Sequence, residues 1–277
     1  MQKMWKMNGQ KIQDIRETVK RDHSLIHCIT NPISINSCAN AVLAIGARPI
    51  MAEHPEEVAE ITETAGALML NLGNITDARM ESIRIAARTA KRGNIPVLLD
   101  CVGTACSRLR REYALDLLGT AMPTVIKGNY SEIKALCVSG YVSAGVDAEG
   151  SLTKEQVTTD AVHLAKNTGA VILASGKTDI ITDGKQIIYV QNGTPQLASV
   201  TGTGCMLGAL CASYLSADRS LLAAAAACAV LGICGELSET EKGSGTFMVN
   251  LLDRLSTLRQ EEVETRLKME VTEIEKF

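Results

Sequence analysis

Four short segments carry residue types able to do chemistry. In Thr201-Gly202-Thr203-Gly204-Cys205-Met206 a loop runs into an apolar helical stretch. Gly202 and Gly204 let the backbone approach a ligand, and the free N–H groups of a helix start make an anion site. Such a site can stabilise a phosphoryl group gaining negative charge. A tight turn needs the same residues, and the dinucleotide-binding spacing is absent because the next glycine, Gly208, falls one residue late. In Asn129-Tyr130-Ser131-Glu132, Asn129 and Glu132 share one face of a helix start. They suit either a hydrated Mg²⁺, which prefers oxygen ligands and keeps its waters, or a capping box. Asp100 ends the run Pro96-Val97-Leu98-Leu99. A carboxylate there reaches a metal or a phosphate-bound water, or else caps a helix. In Thr30-Asn31-Pro32, Pro32 fits a first helical turn and Asn31 a cap or a ligand donor.

Other segments imitate function. Gly176-Lys177-Thr178 looks like the end of a Walker phosphate loop, but the earlier glycine would have to stand at Val171, inside an apolar strand. Cys205 could be a nucleophile, yet His23, His27, His54 and His163 all lie far from it in sequence.

The elements that must position these residues read as alternating strands and helices. Leu25–Ile29, Pro49–Ala52, Ala67–Asn71, Pro96–Asp100, Thr124–Gly128 and Ala170–Ser175 are continuous apolar runs, the signature of a parallel sheet covered on both faces. Ile75–Arg92 has helical period. Thr153-Lys154-Glu155-Gln156 is a capping box opening a helix that Gly169 stops. Asp183-Gly184 predicts a hairpin joining Ile180–Thr182 to Gln186–Gln191. From Gly204 onward the chain reads as nearly all helical, and Val263, Leu267, Val271 and Ile274 predict an amphipathic helix in the tail. No linker or composition break appears, so residues 1–277 read as one doubly wound α/β domain with a central, mostly parallel sheet.

A net charge of −3 with scattered basic residues argues against nucleic acid as a partner. The nine cysteines include no CxxC pair, which predicts a reducing, cytoplasmic setting. Met1 to Lys11 lacks the apolar run of a signal peptide, and the run Leu221–Cys234 is too short to span a bilayer. No membrane partner is expected.

Taken in order, seven segments resemble the hydroxyethylthiazole kinases. They are His27-Cys28-Ile29-Thr30-Asn31, Pro49-Ile50-Met51-Ala52, Asn71-Leu72-Gly73, Asp100-Cys101-Val102-Gly103, Lys127-Gly128-Asn129 with Glu132, Thr201-Gly202-Thr203-Gly204-Cys205, and Gly243-Ser244-Gly245-Thr246-Phe247. Cys205 is the discriminating residue, since related ribokinase-like enzymes carry Asp there. The resemblance implies a three-layer α/β/α ribokinase-like fold and transfer of the ATP γ-phosphoryl group to the alcohol of 4-methyl-5-(2-hydroxyethyl)thiazole, in thiamine salvage. It implies that Lys127 and Ser175 contact ATP, and that Met51, Gly202 and Asn31 contact the thiazole. Glu132, Asp100 and Asn129 would organise Mg²⁺ and its waters. The amides of Gly202 to Cys205, Gly204 included, would form the anion hole, with Cys205 nearest the hydroxyl. It also implies a homotrimer with sites at subunit interfaces. The chain departs from the pattern in carrying Lys127 for Arg, Ser175 for Thr, Cys101 for Pro and Asn74 for Thr. The rival readings are a pyrimidine or pyridoxal kinase of the same fold, against which Cys205 argues, and an ATP-dependent dehydratase acting on hydrated nicotinamide nucleotides.

Overall fold

The computed structural model describes residues 2–142 and 152–274. Its strands are β1 (Leu25–Ile29), β2 (Arg48–Ile50), β3 (Ala67–Asn71), β4 (Val97–Asp100), β5 (Val125–Asn129), β6 (Val171–Ser175), β7 (Asp179–Thr182), β8 (Gln186–Val190) and β9 (Met269–Glu273). They form a nine-stranded sheet in the order β2-β1-β3-β4-β5-β6-β7-β8-β9. Strands β1 to β6 pair in parallel, and β6 to β9 pair antiparallel. The apolar runs became strands because both faces are covered: β3 and β4 are buried at every position.

Five helices fill one face: α3 (Val58–Glu63), α4 (Asp77–Arg92), α5 (Arg108–Ala121), α6 (Tyr130–Cys137) and α7 (Lys154–Thr168). The other face takes α1 (Gln2–Asp22), α2 (Ile35–Ala44), α8 (Thr203–Leu215), α9 (Leu221–Leu237), α10 (Ser244–Thr257) and α11 (Gln260–Arg266). The Ala-rich run predicted as a core helix is α9, with nearly every side chain from Leu221 to Gly235 withdrawn from solvent. Among the described residues no helix is long and apolar enough to cross a membrane. The capping box at Thr153 and the left-handed Gly169 bound α7 as expected. The hairpin at Asp183-Gly184 adds the antiparallel pair. Gly176-Lys177-Thr178, the false phosphate loop, is the turn between β6 and β7.

Two expectations are corrected. The predicted tail helix stops at Arg266, and Met269–Glu273 forms β9 against β8. Met269 and Val271 turn toward the core while Glu270 and Thr272 are exposed, a period of two rather than 3.6. An open edge on β8 supplies the backbone partners, and covering that edge outweighs the helical spacing. Pro32 does not sit in a first helical turn. Helix α2 begins at Ile35 with Ser34 at its N-cap, and Asn31 precedes it with Oδ1 accepting from Ser34 N at 3.2 Å.

Strand β2 lies on one side of β1 and β3 on the other, so the chain reverses direction across the sheet there. Open α/β sheets bind ligands at such a reversal, beyond the carboxyl ends of the strands. Asn31, Asn71, Asp100 and Asn129 follow or end β1, β3, β4 and β5 at that edge.

Candidate active site

The parallel register sets Asn71 beside Asp100, and Asp100 beside Lys127. Lys127 Nζ donates to Asp100 Oδ1 at 2.9 Å, with both side chains buried. Asn71 Nδ2 donates to Asp100 Oδ2 at 2.8 Å. Asp100 therefore caps no helix; Ser107 caps α5. Burial raises the Asp100 carboxyl, and Lys127 and Asn71 pull it back. Burial also pulls the Lys127 ammonium down, but Asp100 and Glu132 outweigh it and hold Lys127 above its ordinary value.

Cys205 enters from the opposite face, in the first turn of α8. Gly202 stands at the N-cap with φ +90°, a backbone region open to glycine and strained for other residues. The first-turn N–H groups of α8, including that of Gly204, have no intrahelical acceptor and point along the positive end of the helix dipole. Asn31 Nδ2 and Asn71 Nδ2 each donate to Cys205 Sγ at 3.3 Å. A helix N-terminus can lower a thiol's pKa, but here burial and then Asp100 push Cys205 up, with Lys127 opposing. The thiol is neutral near pH 7.

Glu132 forms the capping box that its motif allowed. Its Oε2 accepts from Asn129 N at 2.8 Å while Asn129 Oδ1 accepts from Glu132 N at 2.9 Å, a complete capping box. Its Oε1 also accepts from Gly103 N at 2.7 Å, which ties the loop after β4 to α6. Burial, then the charge of Asp100, raises the Glu132 carboxyl to about 7, against the pull of the two backbone N–H groups and Lys127.

Ser175 lies beside Asn129 in the β5–β6 register, and its Oγ donates to Gly128 O at 3.3 Å. Met51 follows β2 and is half-buried against the α8 face. No direct hydrogen bond joins Met51 to Cys205. Its loop is held instead by His27, whose Nε2 lies 2.9 Å from the Ala52 carbonyl and so carries the proton. Thus Asn31, Asp100, Lys127 and Cys205 form one network, Asn129 and Glu132 a second beside it, and Ser175 and Met51 flank them. Asn71 belongs to the first network, although the sequence reading gave it no role. Its place at the end of an apolar strand, in line with Asp100, was the available signal.

The hydroxyethylthiazole kinase family model matches residues 16–261. The chain belongs to this family. It is 44% identical over 260 residues to hydroxyethylthiazole kinase 2 of Clostridium botulinum strain Hall, spanning 92% of this chain and 98% of that protein. The solved structure of a hydroxyethylthiazole kinase protein from Pyrococcus horikoshii OT3 superposes with a TM-score of 0.87 at 31% identity, covering 95% of this chain and all of the other. A ribokinase-like superfamily protein from Enterococcus faecalis V583 shares the fold alone, with a TM-score of 0.62 at 12% identity over 88% of this chain and 89% of that one. The expected three-layer ribokinase-like fold is therefore present.

Proposed function

We propose that this chain acts as one kinase domain that moves the γ-phosphoryl group of ATP to the hydroxyl of 4-methyl-5-(2-hydroxyethyl)thiazole, a step of thiamine salvage. One observation carries the reading. In a member of this family, Cys205 at the N-terminus of α8 is joined through Asn71 to the buried Asp100–Lys127 pair.

Asn31, Met51 and Gly202 hold the thiazole on the β1–β2 side. Ser175 and Lys127 take the nucleotide phosphates on the β5–β6 side, where Lys127 has two N–H donors beyond the one given to Asp100. The amides of Gly202 to Cys205, with Gly204 leaving the approach open, offset the charge that develops on the transferred group. The transition state of such transfers is loose, so the attacking alcohol needs little prior deprotonation. A neutral Cys205 then orients the hydroxyl rather than acting as a strong base.

The residues fit a hydrated Mg²⁺. Asp100 and Glu132 are two buried carboxylates offset by one lysine, an excess negative charge that a dication complements. Among the described residues no cluster of three or more His, Cys, Asp or Glu side chains forms a direct cage. Asp100, Glu132 and Asn129 would therefore hold the ion through its waters. Bound there, Mg²⁺ would neutralise phosphate oxygens of ATP.

We also place the enzyme in the cytoplasm as a homotrimer whose sites lie at subunit interfaces. Exposed Ile33, just before α2, and Val249, within α10, lie on two helices that pack together and support a covered face. Mass spectrometry of the product formed from hydroxyethylthiazole, ATP and magnesium tests the reaction. A phosphate ester on the thiazole alcohol is expected. ATP cleavage with no ester would instead favour the dehydratase class.

A further inference from the structure

We propose that Asn71 is a positioning residue for the transfer: one amide group bridges Asp100 Oδ2 and Cys205 Sγ and fixes the thiol against the carboxylate. The inference rests on the kinase reading above for its kinetic part only.

The orientation of the Asn71 carboxamide is determined by its neighbours. Its Oδ1 accepts from Gly73 N at 2.9 Å and from Asn31 Nδ2 at 3.2 Å, two groups that can only donate. The Asn31 amide is itself oriented, because its Oδ1 accepts from Ser34 N at 3.2 Å. A flipped Asn71 would set N–H against N–H at Gly73 and oxygen against oxygen at Asp100. With Oδ1 committed, Nδ2 must face the carboxylate and the sulfur, at 2.8 and 3.3 Å. Asn71 is fully buried, so no water competes for these contacts.

Gly73 makes room for this meeting. A Cβ there would lie 2.8 Å from Asn71 Oδ1 and 2.9 Å from Asn31 Nδ2, closer than side chains approach. The two carboxamides thus occupy space that only glycine leaves. They deliver two N–H donors to one sulfur, so the hydrogen of the neutral thiol must point away from both. Asn71 belongs to β3 and Cys205 to α8, so this amide is also a polar tie between the sheet and the helix that forms the anion hole. Its removal frees the sulfur to take other rotamers and leaves Asp100 Oδ2 without its amide donor.

A double-mutant cycle tests the bridge. Asn71→Ala should lower kcat about tenfold, the scale of losing a hydrogen bond to a charged group, while KM for ATP moves less than about twofold. In a Cys205→Ala background the same change should cost less than about threefold, since the sulfur it positions is gone. A second readout needs no substrate: the rate at which methyl methanethiosulfonate modifies Cys205, resolved by peptide mass spectrometry, should change several-fold in Asn71→Ala. A folded Asn71→Ala protein with the same kcat loss in both backgrounds and an unchanged Cys205 modification rate would overturn the proposal. If no variant phosphorylates hydroxyethylthiazole, the substrate reading has failed and the modification rate alone decides the positioning role. If Asn71→Ala does not fold, Asn71→Ser, whose shorter donor falls back from the sulfur, is measured and judged by the same outcomes.

Discussion

Lys127 Nζ lies 2.9 Å from Asp100 Oδ1, and both side chains are almost wholly removed from solvent. Breaking such a pair leaves a buried charge uncompensated, which costs about 3–5 kcal/mol, whereas deleting both partners is often close to neutral. Lys127→Met should therefore lose stability on that scale in urea unfolding, and Lys127→Met combined with Asp100→Asn should regain much of it. Equal stability of the single and double variants would mean that the pair is not what holds this region.

Glu132 gives stability a pH dependence of definite sign. Its carboxyl is raised to about 7 in the folded chain, from an ordinary value of 4.5. Between those values the unfolded chain has released a proton that the folded chain keeps, so stability falls as pH rises. The contribution is complete below the ordinary value and is lost through pH 7, about 3 kcal/mol in all without ligands. Glu132→Gln should flatten the unfolding free energy across this window. A slope identical to that of the unsubstituted protein would show that another group titrates.

The same substitution separates the two roles of Glu132. If Glu132 organises the metal's water shell, Glu132→Gln should lower kcat by about 10²-fold, the scale of losing a strong electrostatic term. Capping alone would cost about 0.5–2 kcal/mol of stability with kcat nearly intact. Turnover and unfolding measured on one preparation decide between them.

At the mouth of α8, backbone geometry should matter more than the thiol. Gly202 has φ +90°, and a Cβ there would touch Ser34 Cβ at 3.4 Å, so Gly202→Val strains the chain where substrate must approach. Cys205→Ala removes only a neutral orienting group. Cys205→Ala should retain measurable kcat and lose less than Gly202→Val. A folded, ATP-binding Cys205→Ala protein with no turnover would restore the thiol as the base.

How far the sequence reading reached depends on whether a feature is local. Strands β1 and β3 have the bounds read from their apolar runs, and the capping boxes at Asn129 and Thr153 form where their spacing puts them. Strand β9 escaped because its partner, β8, lies about eighty positions earlier in the chain, and no local period announces a ladder across that distance. Asn31 read as a cap or a ligand donor; its Oδ1 does accept from Ser34 N, while its Nδ2 meets Cys205, 174 positions away, a contact that no local spacing announces. Lys127 looked like a phosphate contact alone; its pairing with Asp100 follows from strand register, which single residues do not reveal. Asn71 was visible only as part of a motif for the same reason.

The central claim is that this site selects a thiazole alcohol. Its most direct test is kcat/KM with magnesium and ATP for hydroxyethylthiazole, ribose and pyridoxal, measured side by side on the purified chain. Efficiency with hydroxyethylthiazole should stand well above that with either competitor. Equal or greater efficiency with ribose or pyridoxal would contradict it.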